Sequence, residues 1–581
     1  MTNEKYQKKE KQNASWVRWI WPQSDALRLG MGWDEEDVNK PYILVEDVYG
    51  DSHPGSIHLN RLASQVREGI TASGGKAAGY HVTDICDGCA QGHDGMNYIL
   101  TQREAIADMV QIHGSVHPWD GLVLISSCDK SVPAHLMAAA RLDLPTVFVP
   151  GGSMRPGPYL TDAGRGGGVA LGRRQGTMDE FEVLQYVRTG CPSCGACQFM
   201  GTASTMQCMT EALGLALPGT ALSPATMNDI NRSARAAGHM VMELARQGIR
   251  ASDILTKASL RNAIIIHAAI GGSTNGFLHL PALAHELGIR LDISEFDEIN
   301  RKVPHICNIA PSGKYPSELF WFAGGIPKVQ EMLSDMLDLD VMTVTGKTLG
   351  ENLKVIRGSG FYERGLGYLA NYGVDPEDVM IPVDKCKVIG SVAVLKGNIA
   401  PEGSVVKYSA VAEDMQQHTG PARVFDSEEA CNKAVVDQTI EPGSVLIIRY
   451  EGPRGSGMPE MFMTTEAIMN DEKLSSSTVL LTDGRFSGAT RGPCVGHISP
   501  EAQAGGPIAF VEDGDLIELD IPNRSINVVG IQGEYCSPEE AARVLKERSQ
   551  GFVPKEHRGR RGIFRRYTER AASAIEGAYM K

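Results

Sequence analysis

The pattern of the chain changes near residue 380, and this change is the strongest constraint on its fold. Before that point, helix-like stretches (residues 102–110, 134–142 and 228–245) alternate with short apolar stretches (122–125 and 146–149). This alternation is typical of a parallel sheet covered by helices. After Pro382, seven runs that are mostly rich in β-branched residues are separated by Gly, Pro and Asp turns, at 388–395, 404–408, 445–450, 479–482, 508–511, 516–521 and 525–529. The sequence therefore predicts an α/β fold, with an N-terminal parallel-sheet domain (1–380) and a β-rich, barrel-like C-terminal domain (381–581).

Composition excludes several classes of protein. With 581 residues, 42% hydrophobic and 22% charged, the chain can bury a large core in more than one domain. Its twelve cysteines without a secretory signal indicate a reducing compartment, where thiolates bind metals, and we expect a cytoplasmic protein. The apolar run 16–21 is too short to span a membrane. A net charge of −14 argues against nucleic acid as the main partner.

Four Gly-punctuated loops carry the reactive side chains. The most informative contains Cys128-Asp129-Lys130, where an apolar run meets a helix-like run. Ligands of doubly wound sheets bind at such junctions, beyond the carboxyl ends of the strands. Three other β-rich runs lead into loops of the same kind at 85–96, 451–461 and 483–488. Glycine allows loops to approach a ligand closely, so this set predicts a binding site.

A fifth segment, residues 191–197, has the spacing Cys-x-x-Cys-x-x-Cys. It is open to two interpretations, a ferredoxin-like run of cluster ligands or one ligand with two incidental neighbours. A ferredoxin run requires a fourth cysteine followed by proline, and Gly201-Thr202 stands there instead. A zinc ribbon would require a second Cys-x-x-Cys, which the chain lacks.

Together these motifs resemble the dihydroxy-acid and sugar-acid dehydratases, the IlvD/Edd family. The resemblance is carried by Cys128-Asp129-Lys130, by residues 195–197 with 202–206, by Met-Pro-Glu-Met at 458–461 and by Thr-Asp-Gly-Arg-Phe-Ser-Gly at 482–488. It extends from about residue 30 to 530. It implies an iron–sulfur cluster, [2Fe-2S] rather than [4Fe-4S], with a magnesium ion beside it. It also implies a small hydroxy-acid substrate, a site between the two domains, and a homodimer or homotetramer.

The resemblance assigns roles to seven residues. Two cysteines match cluster ligands, three carboxylates match magnesium ligands, one lysine matches a carbamylated lysine and one serine matches the base: Cys128 and Cys197; Asp87, Asp129 and Glu460; Lys130; and Ser487. Carbamylation is chemically reasonable, because an ammonium would repel a divalent cation whereas a carbamate supplies the hard oxygen that magnesium prefers. A serine hydroxyl is a poor base unless a nearby cation stabilises its alkoxide.

One departure from the family pattern concerns the third cluster ligand. Many dihydroxy-acid dehydratases have a cysteine where this chain has Gly55. Cys86, directly before Asp87, is the predicted substitute, with Cys89 and Cys194 as competitors. The Cys-Asp-Gly arrangement at 86–88 looks like the phosphogluconate and xylonate dehydratase branches, and it favours a sugar acid as the substrate.

Residues 271–275, Gly-Gly-Ser-Thr-Asn, precede another apolar helix-like run. Ser273, Thr274 and Asn275 could contact substrate hydroxyls, or they could cap the helix that follows. The sequence leaves both interpretations open.

The predicted activity is dehydration of an aldonic acid such as xylonate or gluconate to the 2-keto-3-deoxy acid. The alternative is a dihydroxy-acid dehydratase of branched-chain amino acid biosynthesis, acting on 2,3-dihydroxyisovalerate. In either case the resemblance implies that Ser487 removes the C2 proton and the cluster acts as a Lewis acid. A redox iron–sulfur protein and a non-catalytic metal-binding scaffold are the rivals from other classes.

Overall fold

The computed structural model describes residues 20–556 and 561–581. The predicted apolar run at 16–21 therefore lies mostly outside the described residues. Within the described ranges, no helix has both the length and the apolar character needed to cross a membrane.

The N-terminal sheet has four parallel strands in the order β2-β1-β3-β4. They are β1 (Tyr42–Asp47), β2 (Lys76–His81), β3 (Gly121–Ser126) and β4 (Thr146–Pro150). Every residue of β1, β3 and β4 is buried. Strands covered on both faces read as continuous apolar runs, which explains why β3 and β4 were visible in the sequence. The predicted parallel α/β sheet is confirmed.

Helices surround this sheet and extend well beyond it. They are α1 (Gln23–Gly30), α2 (Leu59–Ala72), α3 (Ile99–Ser115), α4 (Ser131–Leu142), α5 (Gly166–Gln175), α6 (Glu180–Thr189), α7 (Thr202–Ala212), α8 (Asn228–Gln247), α9 (Ala251–Ile254), α10 (Lys257–Ala269), α11 (Gly276–Glu286), α12 (Ile293–Asn300), α13 (Ser317–Phe322), α14 (Gly325–Met332), α15 (Leu349–Arg357), α16 (Phe361–Ala370) and α17 (Pro376–Val379). The helix α7 is buried along its whole length, so the core continues from the sheet into the helical layers.

The C-terminal sheet has nine strands in the order β13-β12-β11-β7-β8-β9-β10-β6-β5. They are β5 (Ala393–Leu395), β6 (Gly403–Val406), β7 (Gln417–Phe425), β8 (Val445–Ile448), β9 (Val479–Thr482), β10 (Cys494–Ser499), β11 (Leu516–Asp520), β12 (Ser525–Ile531) and β13 (Glu534–Tyr535). A bridge between Lys396 and Ser525 links the end of edge strand β5 to the start of β12. The sheet therefore curls into a half-barrel, as the β-rich, barrel-like prediction expects.

The C-terminal half also contains α/β units. Strands β7 to β10 run parallel, and parallel neighbours require crossover connections. The described residues of this half form five helices, α18 (Glu428–Val436), α19 (Pro453–Ser456), α20 (Phe462–Met469), α21 (Pro538–Arg548) and α22 (Gly562–Arg570). The prediction of a strand at 508–511 is wrong, because Pro507–Phe510 forms a 3-10 helix that Pro507 begins.

The side chain of Asn300 ties the end of α12 to the segment that leads into β5. It is fully buried, and its Nδ2 donates to the Phe296 carbonyl oxygen at 2.9 Å. Its Oδ1 accepts from the backbone N–H groups of Ser391 and Val392, each at 3.1 Å. One amide therefore satisfies three backbone groups where the chain passes from one sheet towards the other.

We predict that Asn300→Ala destabilises the protein by about 2–4 kcal/mol, because two buried N–H donors and one carbonyl lose their partner. Urea denaturation followed by circular dichroism measures the change. Asn60→Ala, at an exposed position of α2, is the control and should change stability by less than about 0.5 kcal/mol. Equal stability of the two variants would contradict the proposed role of Asn300.

Candidate active site

The loops that follow the four parallel strands converge at one edge of the N-terminal sheet. Cys128 to Lys130 follow β3 directly, and the short 3-10 helix Asp87–Ala90 follows β2. The loop after β4 pairs with the segment that carries Cys197, since Met154 N donates to the Ala196 carbonyl at 2.7 Å. Gly195 N donates to the carbonyl of Pro54, in the loop after β1. The topology thus gathers residues that are distant in sequence, as expected at the carboxyl ends of parallel strands.

Three carboxylates meet at this edge. Oxygen atoms of Asp87, Asp129 and Glu460 lie within 4.8 Å of one another. Asp87 and Glu460 are buried, and Asp129 is partly buried. Asp87 Oδ1 has no hydrogen-bond partner among the described residues. Carboxylate oxygens brought this close repel each other unless a cation lies between them, so the group has the composition of a site for a hard divalent cation.

Two buried cations partly compensate these carboxylates. Lys130 Nζ lies 2.8 Å from Asp87 Oδ2 and 3.6 Å from Asp129 Oδ2. The Arg485 guanidinium pairs with Glu460 and lies 3.4 Å from Asp87, while its Nε donates to the Met458 carbonyl at 2.7 Å. Both cationic side chains are completely buried. Arg485 comes from the C-terminal half, so this ion-pair network spans both halves of the chain.

The pKa values of the carboxyls reflect the crowding. Burial raises the pKa of Asp129 well above its usual range, and the charge of Asp87 raises it further. Burial also raises the pKa of Glu460. Burial acts in the same direction on Asp87, but the charges of Lys130 and Arg485 outweigh it and lower the pKa of that carboxyl. Two cations are therefore too few to hold three carboxylates fully ionised.

A group of sulfur donors lies next to the carboxylates. Ligand atoms of His53, Cys86 and Cys128 lie within 4.8 Å of one another. Hydrogen bonds from the thiols of Cys128 and Cys89 lower the pKa of Cys86, and the contact with Cys86 raises the pKa of Cys128. Cys86 precedes Asp87, and Cys128 precedes Asp129. Each of these Cys-Asp dipeptides, called a Cys-Asp step below, therefore supplies one thiol to the sulfur group and one carboxylate to the neighbouring carboxylate group.

Cys197 approaches the same region from its own loop. Burial raises the pKa of its thiol, and the charges of Cys86 and Asp129 raise it further, so these groups lie close to it. Gly195 precedes it with φ +116°, and a Cβ there would lie 2.5 Å from the backbone of Ser153 and Met154. Only glycine allows this approach. Of the two competitors for the third ligand, Cys89 contacts Cys86, whereas the charge that acts on Cys194 is that of Arg61.

The position of the family's missing cysteine faces the sulfur group directly. A Cβ on Gly55 would lie 3.4 Å from Cys128 Sγ and 3.1 Å from His53 Nδ1. The imidazole of His53 therefore lies beside the place where a thiol at position 55 would begin. It is held there by a 2.8 Å contact between His53 Nε2 and Asp84 Oδ1. Asp84 in turn accepts from Ser131 Oγ at 2.6 Å.

The segment 273–275 borders the carboxylate group. Asn275 Nδ2 donates to Thr202 Oγ1 at 2.7 Å and to Glu460 Oε1 at 3.4 Å, and Asn275 Oδ1 has no partner among the described residues. The Asn275 side chain makes no capping hydrogen bond to α11. Ser273 Oγ bonds to Thr202 and accepts from Asn275 N. The Asn275 side chain thus faces the site, while a contact of these residues with substrate stays a prediction.

Ser487 lies on the loop after β9, and this loop packs against the N-terminal half. A Cβ on Gly488 would lie 2.4 Å from the Cα of Gly201 and 2.8 Å from Thr202 N. The two backbones touch because position 488 is glycine. Ser487 is half-buried, and its Oγ accepts from Ala489 N at 3.3 Å. The loop of Glu460 is joined to it, because Met461 N donates to the Arg485 carbonyl at 2.9 Å.

The structure thus brings the predicted residues to one region, and it adds three that the sequence reasoning missed. Arg485, His53 and Gln91 were not predicted, although Gln91 Nε2 donates to Glu460 Oε2 at 3.3 Å. Arg485 lies inside the motif at 482–488 that the sequence analysis identified. An arginine between Gly484 and Phe486 in that motif was the signal that could have found it. His53 and Gln91 give no comparable signal in the sequence.

Comparison with known proteins shows full-length similarity to one family. The N-terminal model of the dihydroxy-acid/6-phosphogluconate dehydratases matches residues 40–352, and the C-terminal model matches residues 378–578. A dihydroxy-acid dehydratase of Caldanaerobacter subterraneus subsp. tengcongensis is 43% identical over 96% of both chains. Relatives of the same name from Halothermothrix orenii (43% identical, 96% of this chain and 97% of the relative) and Methanosarcina barkeri (42%, 95% and 96%) are similar.

These findings confirm the predicted family and the predicted hydro-lyase activity, and they agree with a metal-dependent enzyme in general form. They overturn the prediction of a sugar acid as the substrate, because the similar full-length relatives are named dihydroxy-acid dehydratase. The error came from Cys86. A thiol that lies among other sulfur donors gives no information about the carbon chain of the substrate.

We predict that MgCl2 raises the melting temperature of the purified protein, because a cation bound only by the folded state stabilises it by about 2.7 kcal/mol at a hundredfold excess over Kd. Glu460→Gln should abolish most of this increase, since it removes one of the three carboxylates. Glu472→Gln, at an exposed position, is the control. An unchanged response of Glu460→Gln to magnesium would show that the cation binds elsewhere.

Proposed function

The chain belongs to the dihydroxy-acid/6-phosphogluconate dehydratase family, and we propose that it is a dihydroxy-acid dehydratase. Its reaction is the conversion of a 2,3-dihydroxy carboxylic acid, such as 2,3-dihydroxyisovalerate, to the 2-keto acid and water. The observation that carries this proposal is the pair of adjacent donor groups, one of sulfurs and one of carboxylate oxygens, built from two Cys-Asp steps. The names of the full-length relatives support the choice of substrate.

We propose that Cys86, Cys128 and Cys197 hold an iron–sulfur cluster, [2Fe-2S] rather than [4Fe-4S]. Soft thiolates select iron–sulfur clusters, and the contact between the thiols of Cys86 and Cys128 supports a shared ligand function. Gly55 leaves room beside Cys128 but supplies no donor atom. Cys86 is therefore the better third ligand. Bound by these three cysteines, the cluster would supply Lewis acidity for the leaving hydroxyl.

We propose that Asp87, Asp129 and Glu460 hold magnesium. The unpartnered Asp87 Oδ1 and the raised pKa values of the other two carboxyls fit a group that lacks enough positive charge. Lys130 contacts two of these carboxylates, and a carbamate formed on its Nζ would add oxygen donors at the same place. Arg485 would then remain as the one permanent cation of the network.

When bound, the cluster and the magnesium ion supply Lewis acidity for a leaving hydroxyl and for the substrate carboxylate. The chain supplies the remaining parts of the reaction. Ser487 Oγ takes the C2 proton. The close backbone contact of Gly488 with Gly201 holds the Ser487 loop against the N-terminal half, which supplies most of the other site residues. Asn275 and Ser273 orient substrate hydroxyls through the polar network that also contains Thr202. The homodimer or homotetramer and the cytoplasmic location stay predictions.

We predict that anaerobically purified enzyme converts 2,3-dihydroxyisovalerate to 2-ketoisovalerate and leaves xylonate and gluconate unchanged. Detection of the keto acid as its hydrazone measures the reaction. Ser487→Ala should retain iron, absorbance and fold while it loses turnover by about 10²–10⁴-fold, the usual contribution of a general base. Turnover of the aldonates alone would refute the proposed substrate.

A second prediction concerns the third cluster ligand. Cys86→Ser should lower iron content and visible absorbance as strongly as Cys128→Ser does, because a serine hydroxyl is hardly ionised near neutral pH and binds iron poorly. Cys89→Ser is the matched control, since Cys89 contacts Cys86 but lies exposed. Anaerobic iron quantitation separates the outcomes. An intact cluster in Cys86→Ser would instead point to His53 as the third donor.

A further inference from the structure

Lys407 is a buried lysine whose amine has no hydrogen-bond partner among the described residues. Lys407 is the residue directly after strand β6, and it is 8% exposed. Its Nζ makes no hydrogen bond to any described residue. Lysine is almost never buried without a partner, because the charged amine loses its hydration and gains nothing in return. A buried amine that lowers the stability of the fold in this way is a candidate for a catalytic or binding role.

Lys407 lines a small cavity together with Ser487. Thr274 and Thr490 line the same cavity, and Thr490 Oγ1 also lacks a partner among the described residues. The cavity therefore joins three elements of the site: the loop after β6, the loop after β9 and the segment 273–275. None of the described residues that line it is a carboxylate, so they supply no counter-ion for Lys407.

The surroundings of Lys407 favour the neutral amine. Burial alone lowers the pKa of Lys407 to about 7. A charge on Lys407 acts on two nearby imidazoles, those of His267 and His305. Burial, with a smaller contribution from that charge, lowers the pKa of each imidazole to about 4. Cys494, the remaining titratable group that lines the cavity, has a thiol whose pKa burial raises. These neighbours are therefore neutral near pH 7, and none of them stabilises an ammonium.

We propose that Lys407 accepts the hydroxyl proton of Ser487 and so makes Ser487 a competent base. This inference rests on the proposed function, in which Ser487 takes the C2 proton of the substrate. A serine hydroxyl has to lose its own proton to act as a base, and a neutral lysine amine in an apolar cavity is an established kind of partner for it. Lys407 thus acts through Ser487 and does not itself need to touch substrate.

The proton balance is complete. As Ser487 Oγ takes the C2 proton, its own proton passes to Lys407 Nζ. The C2–H electron pair forms the double bond between C2 and C3, and the C3 hydroxyl leaves with the C3–O pair. Lys407 later gives its proton to solvent, which together with the departed hydroxide accounts for one water. The enol isomerises to the 2-keto acid without further loss or gain of atoms.

Lys407→Met tests the proposal in the holoenzyme, because methionine keeps the length of the side chain and removes the amine. Turnover of 2,3-dihydroxyisovalerate should fall by about 10²–10⁴-fold with KM nearly unchanged, and exchange of the C2 proton with solvent should fall in parallel. Lys396→Met, at an exposed position after β5, is the control and should keep wild-type turnover. Iron content and absorbance should equal those of the wild type in both variants.

The pH profile distinguishes this role from a structural one. Wild-type turnover should rise with pH through about 7, since only the neutral amine can accept a proton. In Lys407→Met this limb should disappear. Ethylamine or methylamine should partly restore the turnover of Lys407→Ala, because a free amine can enter the space that the side chain leaves.

Stability gives a second, independent readout. A lysine whose pKa falls from 10.5 to about 7 on folding destabilises the protein by the full amount below about pH 7, and this destabilisation fades as the pH rises towards 10.5. Between the two pKa values, the unfolded chain binds a proton that the folded chain does not hold. Lys407→Met should therefore raise the melting temperature, and by more at pH 6 than at pH 9. If Lys407→Met fails to accumulate as folded protein, Lys407→Gln tests the same loss of the amine with a polar side chain.

Wild-type turnover in Lys407→Met, or an unchanged pH profile, would overturn the proposal. A raised KM with unchanged kcat would also overturn it, because the amine would then bind substrate as a cation. Failure of the proposed function itself looks different, since the wild-type enzyme would then neither dehydrate 2,3-dihydroxyisovalerate nor exchange its C2 proton.

Discussion

The burial of three carboxylates beside two cations, Lys130 and Arg485, is the interaction on which the site depends. Asp87, Asp129 and Glu460 lie within a few ångströms of each other, and each would cost several kcal/mol if it were buried alone and ionised. Lys130 and Arg485 offset part of this cost, and the raised pKa of Asp129 reports the remainder. Because Arg485 comes from the C-terminal half, neither half can assemble the network without the other.

The two Cys-Asp steps explain how soft and hard donors are kept apart and yet adjacent. Neighbouring side chains in an extended or turning segment point in different directions, so Cys86 and Asp87 face different groups, as Cys128 and Asp129 do. Thiolates select iron–sulfur chemistry, and carboxylates select magnesium. Two dipeptides that follow parallel strands thus place two kinds of donor group side by side, which is the arrangement that the proposed cluster and magnesium ion require.

The local parts of this architecture could be predicted from the sequence, and the long-range parts could not. Residues 479–482 read as a strand and are one, because three apolar residues followed by the β-branched Thr482, between turns, leave little choice. Strand β7 was missed because its buried positions 420 and 422 hold Gly and Ala, which give no apolar alternation in the sequence, and because Pro421 is unusual inside a strand. The family motifs identified the site residues, but the ion pair of Arg485 with Asp87 joins positions 398 residues apart. No local sequence pattern predicts such a contact. Cys86 suggested the wrong substrate because a cysteine motif likewise gives no information about the distant residues that contact the substrate.

The environment of Lys407 shows how the enzyme can provide base strength without adding another anion to a crowded site. A carboxylate beside Ser487 would compete with Asp87, Asp129 and Glu460 for the proposed magnesium ion. A neutral amine would not, because it carries no charge until it has accepted a proton. Since no described residue of the cavity is a carboxylate, an ammonium formed on Lys407 in the proposed step would be unstable and would return its proton readily. The same burial that makes Lys407 costly to the fold thus suits it to transient proton storage.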